Sequence, residues 1–229
     1  YWGGFRKDQF EFLVNDLKYV DKDKLIVFGM HIPIANVNFG EFRKDDLNKL
    51  FKLLEGYDNV LFLSAHTHVQ KHNFFVKTDG WMQEKPLHEF NVGATCGDWY
   101  SGDFDERGTP TSMMHDGTPV GYAFLNIKGN QYSIDYKVSG KPKGYQMHIH
   151  HPKVVPHKKS VSSLITVNFF MGNKSDEVEY RIDKGEWKKM KRTEMADPVY
   201  IEMLSRWDNA NTLTSSRWPS RASMCSHIW

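Results

Sequence analysis

The side chains best suited to chemistry are His66 and His68, separated by Thr67, together with His31 further upstream. Neutral imidazole is a good ligand for Zn, Fe, Mn and related divalent ions. His66-Thr67-His68 follows the apolar run Val60-Leu61-Phe62-Leu63, and His31 follows Leu25-Ile26-Val27-Phe28. In an extended backbone, residues i and i+2 point to the same side. The H-x-H pair is therefore expected to direct two rings into one pocket. The opposing reading is of polar loop histidines bonded to backbone groups.

Other histidines compete for attention. His148 and His150 should share one face of a strand, with Met147 and Ile149 on the other. No carboxylate lies nearby in sequence, so a solvent-facing strand is expected there. His72, His88, His115, His157 and His227 are isolated and read as structural or surface residues. Gly102-Asp103-Phe104-Asp105-Glu106 is rich in carboxylates but sits among turn residues, which suggests a loop. No G-x-x-x-x-G-K-[ST], G-x-S-x-G or C-x-x-C occurs, so nucleotide-loop and nucleophilic-serine chemistry lack support. Cys96 and Cys225 fall in different halves and make no disulfide framework.

The elements that must position these side chains follow from periodicity. Phe10, Leu13, Val14 and Leu17 have helical spacing, predicting a helix over Lys7–Val20. Leu47, Leu50, Phe51 and Leu54 predict a second helix, stopped at Gly56. The apolar runs at 25–28 and 60–63 read as buried strands. Helix, strand, helix, strand is the order of a βαβ unit with parallel strands. Ligands in such sheets sit beyond the carboxyl ends of the strands, which brings His31, His66 and His68 toward one edge. After about residue 73 short apolar pieces alternate with turns. Tyr122–Ile127, Gly129-Asn130 and Gln131–Val138 read as a hairpin, and Gln146–His150 as a strand. From Ser163 onward the pattern predicts strands alone, at 164–170, 178–183, 187–191 and 200–204. The expected fold is thus α/β followed by a small all-β, sandwich-like domain.

Composition bounds the rest. At 229 residues, 40% hydrophobic and 25% charged, the chain is of ordinary globular make-up. No apolar run approaches the ~18 residues of a membrane span. The net charge of +2 implies no nucleic-acid partner. Residues 1–140 hold 15 basic and 19 acidic side chains, and residues 141–229 hold 15 and 9, giving −4 and +6. That asymmetry suggests two units with different surfaces.

Gly29-Met30-His31-Ile32-Pro33 resembles the late H-x-P motif of calcineurin-like metallophosphoesterases. Ala65-His66-Thr67-His68 resembles their final G-H-[ST]-H motif, with Ala65 in place of Gly. Gly93–Gly108, Met114–Gly121, Tyr145–Ile149 and Ser226–Trp229 resemble a bacterial branch with a C-terminal β-sandwich domain. The resemblance implies residues 1–152 as the latter half of an α/β/β/α phosphoesterase sandwich and residues 153–229 as part of the accessory domain. It implies hydrolysis of a phosphate mono- or diester by two divalent ions (Zn, Fe or Mn). The ions would polarise a phosphoryl oxygen and activate a bridging hydroxide. His31 and His66 would bind one ion and His68 the other. Trp99, Tyr100 and Asp116 would lie on loops near the substrate. A periplasmic or secreted location is also implied.

The family's earlier motifs, D-x-H, G-D-x-x-D and G-N-H-[DE], do not occur in this sequence. They supply the bridging carboxylate and the acid that protonates the leaving group. The chain thus reads as an internal piece of a longer protein, expected to be inactive alone. Three imidazoles bring no negative charge. Uncompensated, two adjacent dications repel by several kcal/mol even at an effective dielectric of ~20. At most one weakly held ion is expected. The rival reading is a non-catalytic module gripping a polyanion or envelope glycan, which an open platform of Trp187 and Trp207 would favour.

Overall fold

The computed structural model of the protein describes residues 2–35, 41–158, 163–210 and 219–229. The chain divides into two compact units. One comprises Tyr1–Thr67, His72–Val92 and Phe124–Asp135; the other comprises His68–Lys71, Gly93–Ala123 and Tyr136–Trp229.

The first unit begins with β1 (Trp2–Gly3), α1 (Lys7–Asp16) and a 3-10 turn at Leu17–Tyr19. The α form is thus shorter than the Lys7–Val20 spacing predicts. It gives way at Leu17, whose side chain is buried, and the backbone is extended by Val20. Then follow β2 (Ile26–Gly29), β3 (Glu41–Phe42), α2 (Lys44–Leu53), β4 (Val60–Ser64), β5 (Lys71–Phe75) and β6 (Leu87–Asn91). β2, β4, β6 and β5 form one sheet in that order. β2 and β4 pair in parallel as the βαβ pattern predicts, with Phe28 opposite Phe62 and their rings stacked at 4.6 Å. Leu50, Phe51 and Leu54 pack with Val60, Phe62 and Leu87 in the unit's core.

β6 also runs parallel to β4 and carries Leu87, Glu89, Phe90 and Asn91 out of water. Periodicity misses this strand because two of its inward residues are polar. A hairpin of β7 (Gly121–Lys128) and β8 (Gln131–Val138) turns at Gly129-Asn130 as expected.

The second unit holds β9 (Met147–His150), β10 (Thr166–Phe169), β11 (Glu179–Tyr180), β12 (Lys188–Lys189), β13 (Thr193–Ala196), α3 (Pro198–Trp207) and β14 (Met224–Ile228). β13, β14, β10 and β9 form an antiparallel sheet in that order. The strands expected at 178–183 and 187–191 shrink to the two-residue pair of β11 and β12.

The strand expected at 200–204 is instead part of α3, so this half of the chain is strand-rich but not all-β. Asp197 caps the helix by accepting the Tyr200 N–H at 2.8 Å, and Pro198 occupies its first turn. Tyr200, Met203 and Trp207 are buried at i, i+3 and i+7, the helical period. The Asp197 carboxylate also meets His148 Nε2 and Asn168 Nδ2, each at 2.9 Å, in full burial. Gly117 makes room for it. Its φ is +83°, and a Cβ there would stand 2.2 Å from Asp197 Cγ. Asp197→Ala should cost about 3 kcal/mol or more, read from urea denaturation.

In the first unit, His88 Nε2 lies 2.9 Å from His72 Nδ1, and its Nδ1 lies 2.7 Å from the Tyr132 hydroxyl. Burial, helped by the neighbouring His72, pushes the His88 imidazole down to about 3. The unfolded chain therefore takes up a proton here as pH falls below ~6.5, and the folded chain does not. Stability from this group is complete above ~6.5 and drops by up to about 1.4 kcal/mol per pH unit toward 3. His88→Gln should flatten the pH dependence of the denaturation midpoint between pH 4 and 6.5; an unchanged slope refutes the assignment.

Candidate functional site

Gly29 of β2 lies opposite Leu63 of β4, so the two parallel strands end level. The Met30 N–H donates to the Leu63 carbonyl at 2.9 Å, and the Ala65 N–H to the His31 carbonyl at 3.0 Å. Pairing thus continues into both histidine loops. The result brings His31 Nε2 to 2.9 Å from His66 Nδ1, with the rings edge-on.

Two buried side chains of β6 fix these loops. Glu89 accepts the N–H of Ile34 at 2.7 Å and of Ala35 at 3.1 Å, holding the segment after His31. Asn73 Nδ2 donates to it at 3.1 Å. Burial pushes the Glu89 carboxyl up, while these donors pull it back only in part. Asn91 donates to the Ala65 carbonyl at 2.6 Å and to Ser64 Oγ at 3.1 Å, and accepts from Thr67 Oγ1. Both positions escaped the sequence reading. The signal was there: polar residues two apart inside an apolar run, hence on one face of a strand.

The backbone at the H-x-H motif is not extended. His66 has φ +70° and His68 φ +53°, both left-handed. The period-2 argument for a shared direction therefore fails, and other contacts decide where each ring goes. His66 meets His31 in the first unit. In the second unit, the His68 ring stacks on Trp99 at 4.7 Å, and its Nδ1 hydrogen-bonds the Gly97 carbonyl.

Among the described residues, five non-glycine positions have positive φ: His66, His68, Trp99, Tyr100 and Asp183. Four of them are site residues expected from sequence. Such backbone costs roughly 1–2 kcal/mol per residue for bulky side chains and concentrates at functional sites. Trp99 and Tyr100 are about half exposed, at 49% and 54%. Asp116 is buried. It accepts the N–H of Gln70 at 2.7 Å and of Thr118 at 2.9 Å, with His227 Nε2 at 3.3 Å. Burial raises this carboxyl, but His227 and the two amides outweigh it and hold it below the usual range.

The other histidine expectations need correction. On β9, His148 and His150 do share a face, but it is the covered one. His148 pairs with Asp197, and His150 Nε2 lies 2.8 Å from Glu202 Oε1. Met147 and Ile149 are the exposed pair. The carboxylates come from α3 and its cap, about 50 residues away in sequence. Trp187 is exposed, but Trp207 is buried, so the two form no open platform.

Residues 89–229 match the family model described as the C terminal of calcineurin-like phosphoesterase. The chain belongs to the calcineurin-like phosphoesterases. No curated protein and no solved structure matches it. The matched span of the calcineurin-like family begins at Glu89 and includes Asn91, Trp99, Tyr100 and Asp116. His31, His66 and His68 precede it. No helix among the described residues is long and apolar enough to cross a membrane.

Divalent ions are usual in this phosphoesterase family, so the donor set matters. Among the described residues, no group of three or more His, Cys, Asp or Glu side chains is placed to hold an ion. His31 and His66 offer two ring nitrogens and no negative charge. The residues therefore fit part of one ion's shell and do not complete a two-metal centre.

Asn91→Ala should remove the clamp on Ala65–Thr67 and leave the Ala65 carbonyl without its side-chain donor. We expect a loss of about 2–4 kcal/mol in chemical denaturation, with broadened NMR signals at His66.

Proposed function

We propose that this chain is part of a metal-dependent phosphohydrolase cleaving phosphate mono- or diesters, with His31, His66 and His68 as cation ligands. The supporting observation is the 2.9 Å approach of His31 Nε2 and His66 Nδ1 beyond the ends of parallel β2 and β4. Nitrogens so spaced suit neighbouring positions on one ion, whose bonds to imidazole are ~2.0–2.1 Å for zinc. Membership of the phosphoesterase family supplies the reaction class.

His68 adds a second argument. Its Nδ1 faces the Gly97 carbonyl and so carries the proton. That leaves the Nε2 lone pair as the donor, the arrangement usual for metal-bound histidine. Bound divalent ions would polarise the phosphoryl oxygen and lower the pKa of attacking water. The chain's own residues bind and orient. His31 and His66 donate lone pairs, while Glu89 and Asn91 keep the loops from drifting. Trp99 and Tyr100 contact the ester, and buried Asp116 holds its loop in shape. We read residues 1–152 as the latter part of the phosphoesterase sandwich and 153–229 as part of an accessory β-rich domain.

Titration calorimetry with Zn²⁺ or Mn²⁺ tests this reading. One weak site is expected, lost in both His31→Ala and His66→Ala. An ion that enters between the rings takes the place of the hydrogen bond between His31 Nε2 and His66 Nδ1, and the ring that donates it moves its N–H to the other nitrogen. Undiminished affinity in both variants refutes the ligand assignment. Hydrolysis of 4-nitrophenyl phosphate by the chain alone should stay near background.

A further inference from the structure

The ring of His227 on β14 is buried, and its surroundings fix its protons. Its Nδ1 lies 2.8 Å from Asn168 Oδ1 on β10. Its Nε2 lies 3.2 Å from the Gln70 carbonyl and 3.3 Å from Asp116 Oδ2. All of these residues belong to the second unit.

The Asn168 amide has one workable orientation. Its Nδ2 donates to the Asp116 carbonyl at 3.2 Å and to Asp197 Oδ2 at 2.9 Å, so the atom turned toward His227 is the oxygen. His227 Nδ1 therefore faces an acceptor and carries a hydrogen. Nε2 faces a carbonyl and a carboxylate. Asp116 uses both oxygens to accept N–H groups, Oδ2 from Gln70 at 2.7 Å and Oδ1 from Thr118 at 2.9 Å. Burial alone would raise this carboxyl, but His227 and those amides hold it below the usual range. It is an acceptor and not a donor, so Nε2 carries a hydrogen as well. A ring with hydrogens on both nitrogens is an imidazolium.

The other titratable groups around the ring leave that charge in place. Cys225 Sγ is 3.3 Å from Nδ1 and 3.5 Å from Nε2. Burial and then the Asp116 charge push this thiol well up, so it is no second anion. Asp197 lies beyond Asn168 and is engaged by His148 at 2.9 Å. Burial and neighbouring carboxylates push up the phenols of Tyr136 and Tyr200, which stay neutral. Arg192 is the other cation whose charge reaches the cluster, through Cys225. Asp116 is thus the carboxylate paired directly with the ring.

We propose that His227 is a buried imidazolium acting as a pH-sensitive clamp within the second unit, tying β14 to Asn168 of β10, to the Asp116 loop and to the backbone of Gln70. Gln70 is gripped on both backbone groups, its N–H by Asp116 and its carbonyl by His227. When rising pH passes a ring proton to solvent hydroxide, that N–H bond is lost and a lone pair faces an acceptor. Water does not reach the site to replace the bond. Asp116 is then a buried charge without its partner. The clamp is closed in acid, for as long as Asp116 stays ionised, and at neutral pH, and it opens on the alkaline side. No cation or ester enters it, so it stands apart from the phosphohydrolase reading.

The test uses the whole chain, labelled with nitrogen-15. Long-range proton–nitrogen NMR of the histidine rings is followed from acid to alkaline pH, together with amide exchange. At neutral pH both nitrogens of His227 should give the imidazolium signal. Its loss at higher pH should coincide with a drop of about tenfold or more in the protection of the Gln70 and Thr118 amides, after correction for the intrinsic rise of exchange with pH. His227→Gln, which has no proton to titrate, should show the lowered protection at every pH. A bare nitrogen on His227 at neutral pH overturns the proposal. So does a ring that keeps both hydrogens over the whole range in which the chain stays folded, or one that loses a hydrogen while both amides stay protected. If His227→Gln does not fold, the titration of the unaltered chain decides the matter by itself.

Discussion

Buried polar groups must find partners, and in this chain that requirement shapes the candidate site. Glu89 and Asn91 sit on one face of β6, out of reach of water. Each can be accommodated only by consuming hydrogen bonds from the loops beyond β2 and β4. The loop amides and carbonyls near His31 and His66 would otherwise be left to solvent. One strand thereby fixes both histidine loops, and the two imidazoles meet because their backbones are held from below.

The second unit solves a like problem with carboxylates. Asp98, Asp116 and Asp197 are all buried, and each accepts at least one backbone N–H. An ionised carboxylate bonded to amides can organise a loop that has no regular structure of its own. Strained backbone at Trp99 and Tyr100 is tolerable on that account. The same group at Asp197 caps α3 and binds His148, so one side chain both starts a helix and quiets a histidine.

Much of the first unit was legible. The apolar runs at 25–28 and 60–63, with helical spacing between them, sufficed for a parallel pair, and the strand ends placed His31 and His66 side by side. The reading went astray where a local rule met a distant partner. His66 and His68 looked like an extended i, i+2 pair, yet positive φ at both positions breaks that rule. The segment 200–204 looked like a strand because Tyr and Ile favour strands. Asp197 and Pro198 just before it carried the stronger signal, a helix start. His148 and His150 looked unaccompanied because Asp197 and Glu202 are remote in sequence.

The sequence by itself determined which residue types were available and the period of the longer apolar segments. Hydrophobic burial is strong, local in pattern and insensitive to distant detail, so α2, β2, β4 and the hairpin could be read directly. Tertiary structure alone decided which polar groups were bonded to which. A buried carboxylate or imidazole takes its role from whatever donor the fold brings within about 3 Å, and that donor can come from anywhere in the chain.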